Sequence, residues 1–296
     1  MNKKTLFKGV ATALITPLDE NGVNYEKLEA LINWQIEKGI NALVICGTTG
    51  ESSTMTDDEH RDVIDFAVKK ANGRVPVIAG AGSNDMAYAL DLIKCAEASG
   101  ADGTLVVTPY YNKATQKGLI KMYTELADAA TKPMILYNVP SRTGVNIEPS
   151  TYAALADHER IVGIKEANGN LSKIVETMAL VRGRLDLYSG NDDQIVPLLA
   201  MGGKGVISVL SNIMPAETVE MCDSFFRGDI EKAAELQCRY HAITDALFSE
   251  VNPIPVKAAM SAMGFCDDYL RMPLTPMEDA NRAKLFALMR EHGLIK

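Results

Sequence analysis

The chain has 296 residues, 47% of them hydrophobic and 23% charged, which is ample for one large core or for a domain with an appendage. Its net charge of −8 excludes a general basic footprint for nucleic acid or an anionic membrane, so an anionic substrate needs a local cationic site. No apolar stretch is long enough to span a bilayer and residues 1–7 lack a signal-peptide core, so the expected setting is cytoplasmic. The five cysteines (Cys46, Cys95, Cys222, Cys238, Cys266) form no Cys-x-x-Cys pair and read as free thiols. The four histidines stand alone, so no metal is expected.

In chain order, a β-rich run at 9–16 precedes an amphipathic helix at 25–38. There Leu28, Leu31, Ile32, Gln35 and Ile36 share one face while Lys27, Glu29 and Glu37 look away. The alternation continues with strand 42–46, helix 57–71, strand 75–79, helix 86–98, strand 103–108 and helix 117–130. Strands 134–138 and 161–165, helix 172–181, strand 185–189, helix 193–200 and strand 205–209 complete it. Continuous apolar strands alternating with helices mean a parallel sheet covered by helices, and eight of them predict a (β/α)8 TIM barrel. An open doubly wound sheet would carry a Gly-x-Gly-x-x-Gly turn after its first strand, where this chain has Ile15-Thr16-Pro17-Leu18-Asp19. Past the last strand the pattern is helical only, at 216–226, 230–249, 254–263 and 277–292. The reading is a barrel over 1–228 and a C-terminal helical appendage over 229–296.

A cation at the end of a buried strand is costly unless something uses it, and Lys165 ends the run Ile161-Val162-Gly163-Ile164-Lys165. Tyr137 holds a similar place in Met134-Ile135-Leu136-Tyr137-Asn138. An amine and a phenol at neighbouring strand ends suit carbonyl chemistry through a Schiff base, with the phenol moving protons. The other reading is a lysine that snorkels to water. A barrel gathers its strand ends at one mouth, which here also receives Gly47-Thr48-Thr49-Gly50-Glu51-Ser52, Thr108-Pro109-Tyr110-Tyr111-Asn112 and Pro140-Ser141-Arg142-Thr143-Gly144. The Gly-Thr-Thr-Gly run can cradle a carboxylate with backbone N–H groups, or be a tight turn only. Arg142, in a Pro/Gly-punctuated loop, suits bidentate carboxylate capture or simple solvation.

These motifs, in this order and spacing and together with Gly163-Ile164-Lys165-Glu166-Ala167, resemble the dihydrodipicolinate synthase (4-hydroxy-tetrahydrodipicolinate synthase) family. That family lies in the class I aldolase superfamily that includes N-acetylneuraminate lyase. The likeness extends to Asn252-Pro253-Ile254-Pro255-Val256-Lys257 and Arg271-Met272-Pro273-Leu274. The resemblance implies that Lys165 forms a Schiff base with pyruvate, with no separate cofactor. It implies a proton relay of Tyr137, Thr48 and Tyr111, the last reaching in from a neighbouring subunit. A homo-oligomer follows, a tight dimer within a tetramer.

Thr48 and Thr49 would hold the pyruvate carboxylate, Gly190 and Ile207 would line that pocket, and Arg142 would bind the carboxylate of L-aspartate 4-semialdehyde. No nucleic-acid or membrane partner is expected. Many members bind L-lysine as an inhibitor, and the matching positions are Ser52, Ser53, Asp57, His60, Asn84, Tyr88 and Tyr110. Tyr88 stands where the inhibited type carries glutamate, and Asp57 where it often carries histidine, so weak or absent inhibition is expected. The rival readings are another pyruvate aldolase, such as N-acetylneuraminate lyase or a keto-deoxy-sugar-acid aldolase, and a catalytically silent barrel that only binds. Arg142 argues against the sugar lyases, and the whole lysine, tyrosine, threonine and arginine set argues against the silent barrel.

Overall fold

A computed structural model describes Lys3 and residues 5–296. Its barrel strands are β1 (Gly9–Ala13), β2 (Ala42–Ile45), β3 (Val77–Gly80), β4 (Gly103–Val107), β5 (Met134–Asn138), β6 (Ile161–Glu166), β7 (Asp186–Ser189) and β8 (Gly205–Ser208). All pair in parallel with their neighbours in sequence, and β8 returns to β1 to close a TIM-type ring. The outer layer is α1 (Tyr25–Glu37), α2 (Asp57–Ala71), α3 (Met86–Ala98), α4 (Gln116–Ala129), α5 (Pro149–Leu155), α6 (Leu171–Val181), α7 (Ile195–Ala200) and α8 (Pro215–Phe226). Helix starts follow their caps: Thr56 and Glu59 form a reciprocal capping box on α2, and Asn24, Asp85, Thr115 and Asn170 cap α1, α3, α4 and α6.

Alternate strand positions fill the lumen, including Ala11, Val44, Ile78, Leu105, Ile135, Tyr137, Tyr188 and Ile207. Phe7, just ahead of β1, stacks on Tyr188 at 4.2 Å and accepts its hydroxyl at 2.8 Å through the backbone carbonyl. That seals the N-terminal end of the barrel and leaves the C-terminal end as the mouth.

The register between β5 and β6 decides where Lys165 points. Met134 pairs with Ile161, but Ile135 pairs with Gly163, so one extra residue enters β6. From there Tyr137 faces Lys165 and Asn138 faces Glu166. Without that bulge Lys165 would lie opposite Asn138, on the outward face of the barrel wall.

The appendage comprises α9 (Ile230–Arg239), α10 (His241–Ala246), α11 (Ile254–Ala262) and α12 (Asp279–Glu291). Its Leu236, Ile243, Leu247, Met260, Leu285 and Met289 share one core with Leu28, Leu31, Ile32 and Met221 of the barrel helices. Two polar clamps join it to the segment after β2. Lys257 and Glu51, 0% and 1% exposed, pair at 2.7 Å, and Lys257 also donates to the Tyr269 carbonyl at 2.6 Å. Arg271 forks onto Glu59 at 2.6 and 2.5 Å and holds its carboxyl down at about 2.

Several expected boundaries move. The first strand stops at Ala13, after which Leu14 and Ile15 stay buried in an irregular segment where the Thr16 hydroxyl donates to the Gly50 carbonyl. The strand expected at 75–79 starts at Val77, because Pro76 has no N–H to give the ladder. The helix expected over 230–249 breaks at Tyr240, whose φ of −95° and ψ of 7° turn the chain between α9 and α10. Arg142 sits on a single helical turn (Pro140–Thr143), begun by proline and ended by left-handed Gly144, where a loop was expected.

Candidate active site

Lys165 and Tyr137 are 6% and 7% exposed and sit side by side on β6 and β5. The Lys165 ammonium lies 4.2 Å from the centroid of the Tyr137 ring. The contrast with Lys257 is informative: that buried lysine is paired with a carboxylate, whereas Lys165 meets an aromatic face and forms no ion pair among the described residues. Gly190 follows β7 beside the lysine stem. A Cβ there would fall 2.8 Å from the Ala167 Cβ and 3.2 Å from the Lys165 Cε, so only glycine fits. Ile207 faces the lumen from β8 in the same apolar cluster as Tyr137.

The loop after β2 is bracketed by two left-handed residues, Cys46 (φ +54°) and Glu51 (φ +57°). Such conformations at non-glycine residues cost on the order of 1 kcal/mol and persist where surroundings impose them. Gly50 N–H returns to the Gly47 carbonyl and Glu51 N–H to the Thr48 carbonyl. Among the described residues, the Thr48 and Thr49 N–H groups donate to no protein acceptor, which leaves two adjacent donors for an anion. Thr49 is buried, and its Oγ1 accepts a 2.9 Å hydrogen bond from Asn252 Nδ2. The Asn252 carbonyl in turn accepts from an Arg142 guanidinium nitrogen at 3.0 Å.

Thr48, Tyr137 and Arg142 line a cavity of about 500 Å³ that also takes in Ser52, Ser53, His60, Tyr88 and Tyr110. Thr48, Tyr137 and Arg142 therefore share one continuous space with most of the proposed lysine-site residues, whereas Lys165, Thr49, Gly190 and Ile207 are not part of its lining. Tyr111 does not join them: it is 92% exposed, at a left-handed φ of +68°. Asn84 lies close by, donating from Nδ2 to the Tyr110 carbonyl at 3.2 Å. Asp57 is held by Arg61 through two contacts of 2.9 and 3.1 Å, and Arg61 also engages Asp91. Burial, followed by its hydrogen bond to Asp57, pushes the Tyr88 phenol up to about 12. Burial lowers the His60 imidazole, whose Nε2 lies 2.9 Å from the Gly80 carbonyl oxygen.

Sequence reasoning assigned no role to Glu166, Asp192 or Asn252. Glu166, on the outward face next to Lys165, accepts from Asn138 and the Asn168 N–H at 2.9 Å and from the Tyr152 hydroxyl at 3.0 Å. Burial nevertheless pushes its carboxyl up to about 7. The folded chain thus keeps a proton that the unfolded chain releases near 4.5, so this contribution is full below that pH and fades as pH rises toward 7. Glu166→Gln should flatten the decline, gaining on the order of 2 kcal/mol on the wild type between acid and neutral pH. Urea melts at pH 4.5 and 7.5 would check it, and a constant difference between the proteins would contradict it. Asp192, 1% exposed, accepts from the Val209 and Leu210 N–H groups at 2.8 and 3.0 Å and so fixes the chain beyond Ile207.

Comparison with known proteins places this geometry. The dihydrodipicolinate synthetase family model matches residues 6–292. A 4-hydroxy-tetrahydrodipicolinate synthase of Clostridium tetani is 51% identical over 293 residues, 99% of this chain and 100% of that protein. The crystal structure of dihydrodipicolinate synthase from Thermotoga maritima matches with a TM-score of 0.96 at 44% identity, covering 98% of this chain and 100% of the other. The enzyme from Cyanidioschyzon merolae, solved with lysine bound, matches with a TM-score of 0.95 at 39% identity over 99% of this chain and 100% of that one. Since the family match runs from ahead of β1 through α12 and takes in the lysine, the tyrosine and the threonine loop alike, the chain belongs to the dihydrodipicolinate synthetase family.

Proposed function

We infer that the chain condenses pyruvate with L-aspartate 4-semialdehyde to give 4-hydroxy-tetrahydrodipicolinate, on the route to lysine and diaminopimelate. The observation that carries this reading is the Lys165–Tyr137 pair, a buried amine against a phenol ring at the mouth of a barrel of this family. In this reading the neutral Lys165 amine adds to the pyruvate C2 carbonyl, and loss of water gives the iminium. Removal of a methyl proton yields the enamine, which attacks the semialdehyde carbon while the aldehyde oxygen takes a proton. The amino group of the second substrate then closes on C2 and displaces Lys165, restoring the free amine. Tyr137, Thr48 and the partner subunit's Tyr111 would move the protons, and the unpaired Thr48 and Thr49 N–H groups would hold the pyruvate carboxylate. We assign residues 1–228 to the catalytic barrel and 229–296 to a helical region that braces it.

The test is a coupled assay with pyruvate and aspartate semialdehyde, run beside N-acetylneuraminate cleavage; activity only on the sialic acid would reject the reading. Arg142→Ala sharpens it. Removing a charge-assisted contact to the second carboxylate should raise the KM for aspartate semialdehyde about ten- to a hundredfold. Formation of the pyruvate adduct should stay near wild type. Equal damage to both steps would make Arg142 structural.

The lysine response is a second point of test. A ligand ammonium placed here would find Tyr88 instead of a carboxylate, and an Asp57 already claimed by Arg61 and Tyr88. The missing charge-assisted bond corresponds to about ten- to a hundredfold in affinity. Submillimolar L-lysine should therefore leave turnover nearly unchanged, and a dose–response with strong inhibition in that range would refute this.

A further inference from the structure

We propose that Asn252, from the helical region beyond the barrel, is a positioning residue for pyruvate that acts through Thr49 while its backbone braces Arg142. The inference rests on the functional reading above. Asn252 is 6% exposed and lies 203 residues from Thr49 in sequence, yet its Nδ2 donates to Thr49 Oγ1 at 2.9 Å. A threonine hydroxyl carries one proton and two lone pairs. With an amide N–H filling one lone pair, the Thr49 proton is turned away from Asn252 and left to donate, on the loop whose free N–H groups already form an anion cradle. The Asn252 carbonyl independently accepts from Arg142 at 3.0 Å, so one residue ties the pyruvate loop to the arginine meant for the second substrate. The side chain and the main chain serve different subsites, and that split makes the role separable.

Asn252→Ala removes the amide but keeps the carbonyl on Arg142. It should raise the KM for pyruvate on the order of tenfold, while the KM for aspartate semialdehyde and kcat at saturating pyruvate stay within about threefold. Thr49→Val should do the same. The double variant should be no worse than the poorer single, because both changes remove one hydrogen-bonded unit. Asn252→Asp keeps the shape of the side chain, which guards against a variant that fails to fold. Its acceptor-only carboxylate would capture the Thr49 proton and repel the incoming anion, so its KM for pyruvate should rise further, with circular dichroism checking that the variant is folded.

An unchanged pyruvate KM in either Asn252 variant would overturn the proposal. So would multiplicative losses in the double variant, or equal rises in both KM values. Wild-type protein that gave no borohydride-trapped pyruvate adduct would instead bring down the functional reading, and the proposal with it.

Discussion

Lys165→Arg is expected to yield a folded protein that forms no borohydride-trapped adduct with pyruvate. Guanidinium remains protonated at any working pH and cannot add to a carbonyl as a neutral amine. The replacement keeps a cation against the Tyr137 ring, so the loss isolates nucleophilicity from charge. It also enlarges a side chain whose Cε already sits 3.2 Å from where a Cβ on Gly190 would lie. Melting should therefore be followed alongside activity. Turnover should fall by more than about 10⁴-fold, the scale seen when a covalent nucleophile is removed from an otherwise intact site. In the wild type, peptide mapping should place a single label on Lys165. The competing amine is Lys113, an exposed lysine near the Arg142 turn, whose Cε lies 3.0 Å from the Cβ position of Gly144. A label on Lys113, or an adduct that survives in Lys165→Arg, would overturn the assignment.

The barrel was legible because its strands are buried on both faces and so read as unbroken apolar runs. Lys165 and Tyr137 stood out against such runs, as polar groups do where burial is the rule. Features that depend on pairing between strands left no comparable trace. The extra residue that aims Lys165 into the lumen is a property of the β5–β6 register, and only Gly163 hints at it. The Arg142 turn is four residues long, too short to show a helical period, and its proline and glycine read equally well as loop punctuation. Asn252 and Lys257 escaped assignment for a different reason. Their partners lie 203 and 206 residues upstream, and the segment that carries them reads as an appendage. A signal was present: Lys257 is the single charge in the otherwise apolar or neutral run 254–263, which is the same pattern that drew attention to Lys165.

Tyr111 provides the test that reaches beyond one chain. Its phenol is almost wholly exposed, and its backbone occupies a left-handed conformation that costs on the order of 1 kcal/mol unless something outside the residue makes use of it. It adjoins Tyr110, which lines the cavity containing Tyr137 and Thr48. If two copies face each other across this surface, each Tyr111 would complete the proton path of the opposite site. Tyr111→Phe should then cut turnover about 10²-fold or more, the usual worth of a positioned acid–base group, with little change in melting because the lost hydroxyl lies in solvent within its own chain. Mixing Tyr111→Phe with Lys165→Ala distinguishes this from a role within the chain. In a two-fold pair, a hybrid joins an intact lysine from one subunit to an intact tyrosine from the other, restoring one of its two sites. Half of randomly paired subunits are hybrids, so recovery should approach about one quarter of wild-type activity. Subunit exchange can be followed by native mass spectrometry. Full exchange without recovered activity would mean that Tyr111 serves its own chain or none, and the shared site would be abandoned.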